Sequence, residues 1–150
     1  MSQGIFTSKT DEWGTPQDFF DELDKEFKFT LDPCGRHDRR LKEGLLTLDI
    51  RKGEDGLKHD WIGERVFVNP PYSQKNVESW CKKAFEEKDR AYLIVMLLPV
   101  AKTSTKYFHK YIYPYAEIRL IEGRLKFYPL EGQTQSSNPM GSMLCVLRRR

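Results

Sequence analysis

Hydrophobic residues along the chain recur at helical intervals in some segments and in short, strand-like runs in others. Two amphipathic helices are predicted, one starting at Thr15 and one following Tyr72, with a shorter helix over 105–112. The expected core-facing positions on the two longer helices are Phe19, Phe20, Leu23, Phe27, Val77, Trp80, Cys81, Ala84 and Phe85. Strands are predicted at 28–32, 65–69, 92–98, 117–121 and 142–147, the last antiparallel. Strands alternating with helices are typical of an α/β domain with a mainly parallel sheet.

Local signals add detail at two places. Thr15 is expected to cap the first helix, with Pro16 at its first position and Asp18 at capping-box spacing. The apolar patch at 45–48 fits a strand, although the charged and glycine-rich surroundings at 35–62 leave its conformation open.

A chain of 150 residues is long enough for one hydrophobic core and too short for two ordinary domains. We therefore expect a single domain over 1–150, with 1–12 as a flexible arm. The apolar run 92–98 is far shorter than a membrane span, and no signal peptide is visible. Three widely spaced cysteines indicate reduced thiols, so a cytoplasmic protein with no membrane partner is predicted. The oligomeric state stays open.

The charge pattern permits an anionic partner but does not require one. The net charge is +3, a mild excess. A basic segment contains Arg36, Arg39, Arg40 and Lys42 with few acids between them. Contact with nucleic-acid phosphates and a plain solvated loop are equally good interpretations of this segment.

The most informative motif is Asn69-Pro70-Pro71-Tyr72, which directly follows a predicted strand. An aromatic amine is a poor nucleophile because its lone pair is delocalised into the ring. Two acceptors on its two N–H groups draw the nitrogen toward tetrahedral geometry; the Asn69 side-chain oxygen and the Pro70 carbonyl are the candidates. Pro71 stiffens the segment, and Tyr72 offers a ring on which a flipped base can stack. A simple proline turn after a strand is the alternative.

A second candidate is the turn Asp32-Pro33-Cys34-Gly35 after the first strand. The carboxyl ends of parallel strands bind ligands, and an aspartate there can bind a charged amine or a ribose hydroxyl. Such turns are common, so this signal is weak alone. One further acid can contact the adenine or ribose of a cofactor; Asp55 is the candidate, with Asp49 and Asp60 open as alternatives, and for each taken singly a plain surface carboxylate is the simpler interpretation.

Other polar and aromatic clusters have simpler explanations. Cysteine and histidine spacing at Cys34 and His37 does not build a metal site, so no metal is predicted. The tyrosines within 107–115 favour packing over base stacking. Lysines at every fourth position are expected to share one basic helix face; they are Lys102, Lys106 and Lys110.

Taken together, six sequence blocks make the chain resemble the phage-type DNA N6-adenine methyltransferase family, often labelled Dam. In order they are Glu12-Trp-Gly-Thr-Pro-Gln17, Thr30-Leu-Asp-Pro-Cys-Gly35, Asp55-Gly-Leu57 with Trp61, Val68-Asn-Pro-Pro-Tyr72, Met96-Leu-Leu-Pro99 and Gly123-Arg-Leu-Lys-Phe127. The resemblance extends over about residues 11 to 147. The motif at 69–72 is shared by several amino-methyltransferase families, and the other blocks select this one.

The resemblance implies a Rossmann-like methyltransferase fold, S-adenosylmethionine as the donor, and double-stranded DNA with a flipped adenine as the substrate. It also implies the site residues. Thr15 and Pro16 match the segment at the methionine end of the cofactor; Asp32, Pro33 and Cys34 match its glycine-loop motif; Asn69, Pro70, Pro71 and Tyr72 match the catalytic motif, with Asn69 also touching the cofactor. The loop after Gly35 departs from the pattern because it lacks a second glycine.

The sequence also bears on which segments would recognise a target DNA sequence and on the compartment in which the protein would act. We expect no separate target-recognition domain, so loops 36–44 and 128–140 are the candidates for recognising the target sequence. A phage-encoded enzyme of this kind would act in the bacterial host cytoplasm. Methylation of RNA adenine or of protein glutamine needs the same two acceptors, and a non-catalytic nucleic-acid-binding module on this fold is the remaining alternative.

Overall fold

The computed structural model describes residues 13–129, 136–137 and 141–149. Its helices are α1 (Gln17–Phe27) and α2 (Gln74–Glu87), with a short π-helix at Phe108–Ile112. Its strands are β1 (Trp13–Gly14), β2 (Leu31–Asp32), β3 (Leu46–Thr47), β4 (Arg65–Val68), β5 (Leu93–Pro99), β6 (Glu117–Leu120), β7 (Lys126–Pro129), β8 (Ser136–Ser137) and β9 (Ser142–Arg148). The expected arm at 1–12 lies outside the described residues.

Six strands form a mixed central sheet in the order β3-β2-β4-β5-β9-β6. The neighbours β3, β2, β4 and β5 are parallel, whereas β9 runs antiparallel to both β5 and β6. This arrangement confirms the predicted α/β class with a mainly parallel sheet and an antiparallel last strand. Every residue of β5 is buried, as expected for a strand at the centre of such a sheet.

The strand predicted at 28–32 is shorter than expected. Helix α1 continues to Phe27, and Lys28 then adopts a left-handed conformation with φ 51°. The Asp24 carboxylate accepts a hydrogen bond from the backbone N–H of Phe29 at 2.8 Å, which fixes this turn. The chain can therefore enter the sheet only after the turn. The patch at 45–48 does contain a strand, β3.

Each face of the sheet packs against its own apolar cluster because successive side chains of a strand point to opposite faces. On one face, Val66 and Val68 of β4 pack with the α2 residues Val77 and Trp80. On the other face, Phe67 packs with the α1 residue Phe20. The central strands β4 and β5 are thereby held between two helical layers, which fixes the loop that follows β4.

Three expectations about the helices are wrong. Pro16 is the N-cap residue of α1, and within the described residues no side chain caps that end, so Thr15 does not have the predicted capping role. Phe85 is only half-buried, because it packs in an outer aromatic group with Tyr111 and Tyr115 instead of the core. The three lysines do not share one helix face, because Lys102 lies in a separate 3-10 turn over 100–104.

A second, three-stranded antiparallel sheet has the order β1-β7-β8 and was not predicted. Its first strand has only two residues, paired as Trp13 with Pro129 and Gly14 with Tyr128. This sheet joins the segment before α1 to the segment after β6. No helix among the described residues is long and apolar enough to cross a membrane.

Candidate active site

Two of the predicted motifs meet at the carboxyl edge of the central sheet. The turn after β2 and the turn after β4 are adjacent because these strands are parallel neighbours. Together with the segment before α1 they line an open cleft. Of the predicted site residues, the cleft wall contains Thr15, Asp32, Cys34, Asn69 and Pro71.

The Asn69 amide is held by the segment that contains β1. Its Nδ2 donates to the Trp13 carbonyl at 2.9 Å and to the Thr15 hydroxyl oxygen at 3.0 Å. Both hydrogens of the amide nitrogen are thus used within the protein. The Oδ1 atom is buried and has no hydrogen-bond partner in the described part of the chain. A buried acceptor without a partner is costly in a stable fold, and such atoms are typical of ligand sites.

The Tyr72 ring packs edge-on against Phe127, with ring centroids 5.8 Å apart and planes at 84°. The hydroxyl is buried and lacks a hydrogen-bond partner among the described residues. Burial raises the pKa of the Tyr72 phenol well above its ordinary value, so the group is neutral at physiological pH. The ring is therefore fixed by packing, and the hydroxyl contributes no visible polar contact.

Asp32 is a buried carboxyl group with little compensation. It is 4% exposed, and its Oδ1 accepts a hydrogen bond from the Cys34 N–H at 3.3 Å. Burial raises its pKa from 3.8 to about 7, and the Cys34 N–H only partly offsets this. A Cβ on Gly35 would lie 2.5 Å from Asp32 Oδ2, so glycine is needed for this close turn. Perturbed carboxyl groups in clefts are characteristic of functional sites.

A second cavity adjoins the cleft and shares Cys34, Gly35 and Arg36 with it. Asp55 lines this cavity, and its Oδ1 accepts from the Leu57 N–H at 3.0 Å. Pro33 lies in its wall together with Trp80. The cavity thus reaches from the turn that contains Asp32 to the sheet face that α2 covers.

The three acidic alternatives have different surroundings. Asp49 is fully buried; burial alone would raise its pKa, but hydrogen bonds from the Arg51 guanidinium and from the His37 and Arg51 amides hold its pKa well below the ordinary value. Its oxygens are occupied by these contacts. Asp60 is exposed and caps a turn by accepting from the Ile62 N–H. Asp55 is the alternative that both lines a cavity and lacks an ion pair in the described structure.

A close backbone contact holds the Asp55 turn against the Asp32 turn. A Cβ on Gly56 would lie 2.0 Å from the Pro33 carbonyl oxygen. The Trp61 indole N–H donates to the Gly56 carbonyl at 3.2 Å, and its ring stacks on Trp80 at 6.3 Å. Trp80 was predicted as core, which is correct at 6% exposure, but its place in the cavity wall was missed. Helical spacing could not have revealed that second role.

The basic segment is only partly available for an external anion. Lys42 forms an ion pair with Asp24 at 2.9 Å, and Arg40 donates to the Thr47 hydroxyl. Arg36 and Arg39 line the cleft, but Arg36 forms an ion pair with Asp38 at 3.2 Å and Arg39 donates to the Thr15 carbonyl at 3.3 Å. Much of the loop 128–140, the other candidate for reading sequence, lies outside the described residues.

Trp13 is a further site residue that sequence reasoning missed. Its carbonyl holds Asn69, yet its two-residue strand has no periodicity that could be recognised. The sequence indicated Trp13 only as part of the block 12–17, the first of the six blocks that carry the family resemblance. As for metals, the described residues contain no group of three or more His, Cys, Asp or Glu side chains that could hold an ion.

The fold is α/β, with a cleft at the carboxyl edge of a mainly parallel sheet, the edge at which such sheets bind ligands. The chain belongs to the DNA N-6-adenine-methyltransferase (Dam) family, whose sequence profile matches residues 4–150. This match confirms the resemblance drawn from the sequence blocks. A comparison with curated proteins finds no match.

Proposed function

We propose that this protein is an S-adenosylmethionine-dependent DNA methyltransferase that methylates the exocyclic N6 of adenine. The observation that carries the proposal is the orientation of the Asn69 amide, whose nitrogen is occupied by Trp13 and Thr15 while its oxygen has no partner in the described structure. An oriented acceptor of this kind suits an N–H donor. Family membership supports adenine in DNA as the source of that donor.

The residues present fit the donor molecule that this proposal requires. S-adenosylmethionine supplies an electrophilic methyl group and carries one cationic amine and a ribose. The buried, poorly compensated Asp32 carboxyl suits the amine or a ribose hydroxyl, and the neighbouring Gly35 lines both the cleft and the adjoining cavity. Asp55, in the adjoining cavity, is proposed to hold the adenosine part. Pro16, Pro33, Cys34 and Asn69 complete the proposed cofactor-binding set.

In the proposed mechanism the protein orients the target amine. Asn69 Oδ1 accepts one N–H, and the Pro70 carbonyl accepts the second. These two acceptors draw the nitrogen lone pair out of conjugation and orient it for attack on a bound donor. The donor's sulfur–methyl bond would break as the nitrogen–methyl bond forms, with the thioether as leaving group, and the surplus proton would leave the nitrogen for water. Catalysis comes from orientation and electrostatic complementarity, with no covalent enzyme intermediate.

The proposed substrate is double-stranded DNA whose target adenine leaves the helix and stacks on Tyr72. The edge-on packing of Tyr72 on Phe127 supports this, because a ring fixed by packing loses little freedom when a base stacks on it. Arg36 and Arg39 at the cleft are proposed to contact phosphates. A Rossmann-like methyltransferase fold and action in a cytoplasm, that of the host if the chain is phage-encoded, belong to the same proposal.

Asn69→Ala tests the proposal. Loss of one preorganised hydrogen-bonding group should lower kcat by about a hundred- to a thousandfold. Cofactor affinity should change much less, because the acceptor acts mainly on the target amine. The control Gln74→Ala truncates an exposed amide at the start of α2 and should keep full activity. Near-normal turnover in Asn69→Ala would refute the mechanism.

A labelled-methyl assay on duplex DNA, RNA and protein tests the substrate. Label in DNA that maps to adenine N6 is the expected result. Label only in RNA or in protein glutamine would replace DNA with one of these substrates. Calorimetric binding of S-adenosylmethionine with no transfer to any of the three would instead identify a non-catalytic binding module.

A further inference from the structure

The orientation of the Asn69 amide depends on a segment more than fifty residues away in the sequence. Trp13 and Thr15 lie 56 and 54 residues before Asn69, and each accepts one hydrogen of the Asn69 Nδ2. A carbonyl oxygen can only accept, so the atom opposite the Trp13 carbonyl must be the amide nitrogen. The amide oxygen is consequently on the side away from Trp13.

This accepting segment is itself held in place. Strand β1 pairs with β7, and Thr15 is 5% exposed. The Arg39 guanidinium donates to the Thr15 carbonyl at 3.3 Å. The strand that anchors β1 also provides Phe127, which packs on Tyr72. The small sheet therefore contacts the motif at 69–72 through both Asn69 and Tyr72.

We infer that Thr15 is a positioning residue, which together with the Trp13 carbonyl keeps the Asn69 amide from rotating. The inference rests on the proposed function, in which Asn69 Oδ1 accepts an N–H of the target amine. A primary amide turned by 180° presents two N–H donors instead of an oxygen, and donors cannot hold an amine hydrogen. In the turned state the amide oxygen would also face the Trp13 carbonyl oxygen, which is repulsive.

This role differs from the cofactor contact that the family resemblance implies for Thr15. A cofactor contact acts on the affinity for S-adenosylmethionine. A positioning contact acts on kcat, because it changes how often the amide oxygen is correctly presented while the donor is already bound. The two roles are therefore separated by a comparison of kcat with the KM for the donor.

The test uses Thr15→Val, which keeps the side-chain shape and removes the acceptor, and Thr15→Ser, which keeps the acceptor. We expect Thr15→Val to lower kcat about three- to tenfold, the effect of one neutral hydrogen bond, with the KM for S-adenosylmethionine nearly unchanged. Thr15→Ser should restore most of the loss. A raised KM with normal kcat would overturn the inference and make Thr15 a cofactor contact.

A second readout is independent of activity. The Asn69 side-chain amide of nitrogen-15-labelled protein, assigned by its loss in Asn69→Ala, should exchange its hydrogens slowly in the wild type and in Thr15→Ser. Thr15→Val should speed that exchange and shift the signals. Unchanged exchange in Thr15→Val would overturn the inference. If the wild type methylates no substrate, the proposed function fails, while the amide signals still decide whether Thr15 holds Asn69.

Discussion

The buried carboxyl of Asp32 makes a specific prediction about stability and pH. Asp32→Asn keeps the size and shape of the side chain and removes its ability to ionise. The raised pKa, from 3.8 to about 7, means that ionised Asp32 destabilises the folded state. A shift of about three units corresponds to at most about 4 kcal/mol, at 1.36 kcal/mol per unit.

The sign follows from proton linkage. The folded protein holds the Asp32 proton to a higher pH than the unfolded chain, so between about pH 4 and pH 7 the folded state binds more protons. Stability present at low pH is therefore lost as the pH rises through this window. Relative to Asp32→Asn, the wild type should lose about 1.4 kcal/mol per pH unit there, with a constant difference above pH 7.

Urea denaturation of the cofactor-free protein at several pH values between 4 and 8.5 measures this difference. Any pH-independent effect of the new amide cancels when the difference is compared across pH values. The control Asp60→Asn makes the same change at an exposed carboxylate, and an equally large pH-dependent difference there would show that burial is not the cause at Asp32. The quantity to compare is the free energy of unfolding of Asp32→Asn minus that of the wild type. If this value is the same at every pH, or increases toward low pH, the reasoning is refuted.

The same variant tests the cofactor assignment. If ionised Asp32 binds the cofactor, Asp32→Asn should weaken S-adenosylmethionine binding at pH 8 by about 1.5–3 kcal/mol, the value of a hydrogen bond to a charged group. Calorimetry at pH 8 measures this. If Asp32→Asn is more stable than the wild type but binds S-adenosylmethionine less tightly, then the buried carboxyl lowers stability and serves ligand binding.

Two further variants probe the packing around the site. Tyr72→Phe removes a buried hydroxyl that has no partner in the described structure, so the free energy of unfolding should rise by about 1 kcal/mol. Turnover should stay within a few-fold of the wild type. A strongly reduced kcat would show that the hydroxyl is used. Gly56→Ala places a Cβ 2.0 Å from the Pro33 carbonyl oxygen, which should destabilise the protein by about 1–3 kcal/mol and weaken cofactor binding. In its control, Gly141→Ala, the Cβ makes an ordinary 3.7 Å contact with Val100, and a loss as large as that of Gly56→Ala would contradict the explanation.

Much of the fold could be predicted from the sequence because the signals are local. Short, nearly continuous apolar runs mark β4, β5 and β9 in the sequence, as is typical of strands buried on both faces. The motif at 69–72 could likewise be identified, because the stiffness of Pro70-Pro71 and the acceptor on Asn69 are properties of adjacent residues. The expected meeting of the Asp32 and Asn69 turns followed from the rule that parallel strands end at a common edge.

Only the tertiary structure decided how these groups are arranged. Thr15 has the sequence signals of a helix cap, yet its hydroxyl is used by Asn69, because folding places β1 beside the end of β4. Asp49 and Asp55 are equivalent as acids in the sequence, and both line the second cavity, but the Arg51 guanidinium binds the Asp49 carboxylate and not that of Asp55. The two-residue strand β1 has no pattern of its own, since it exists only because β7 pairs with it. Such contacts join residues far apart in the chain, and neither propensity nor periodicity, which act over a few neighbours, contains information about them.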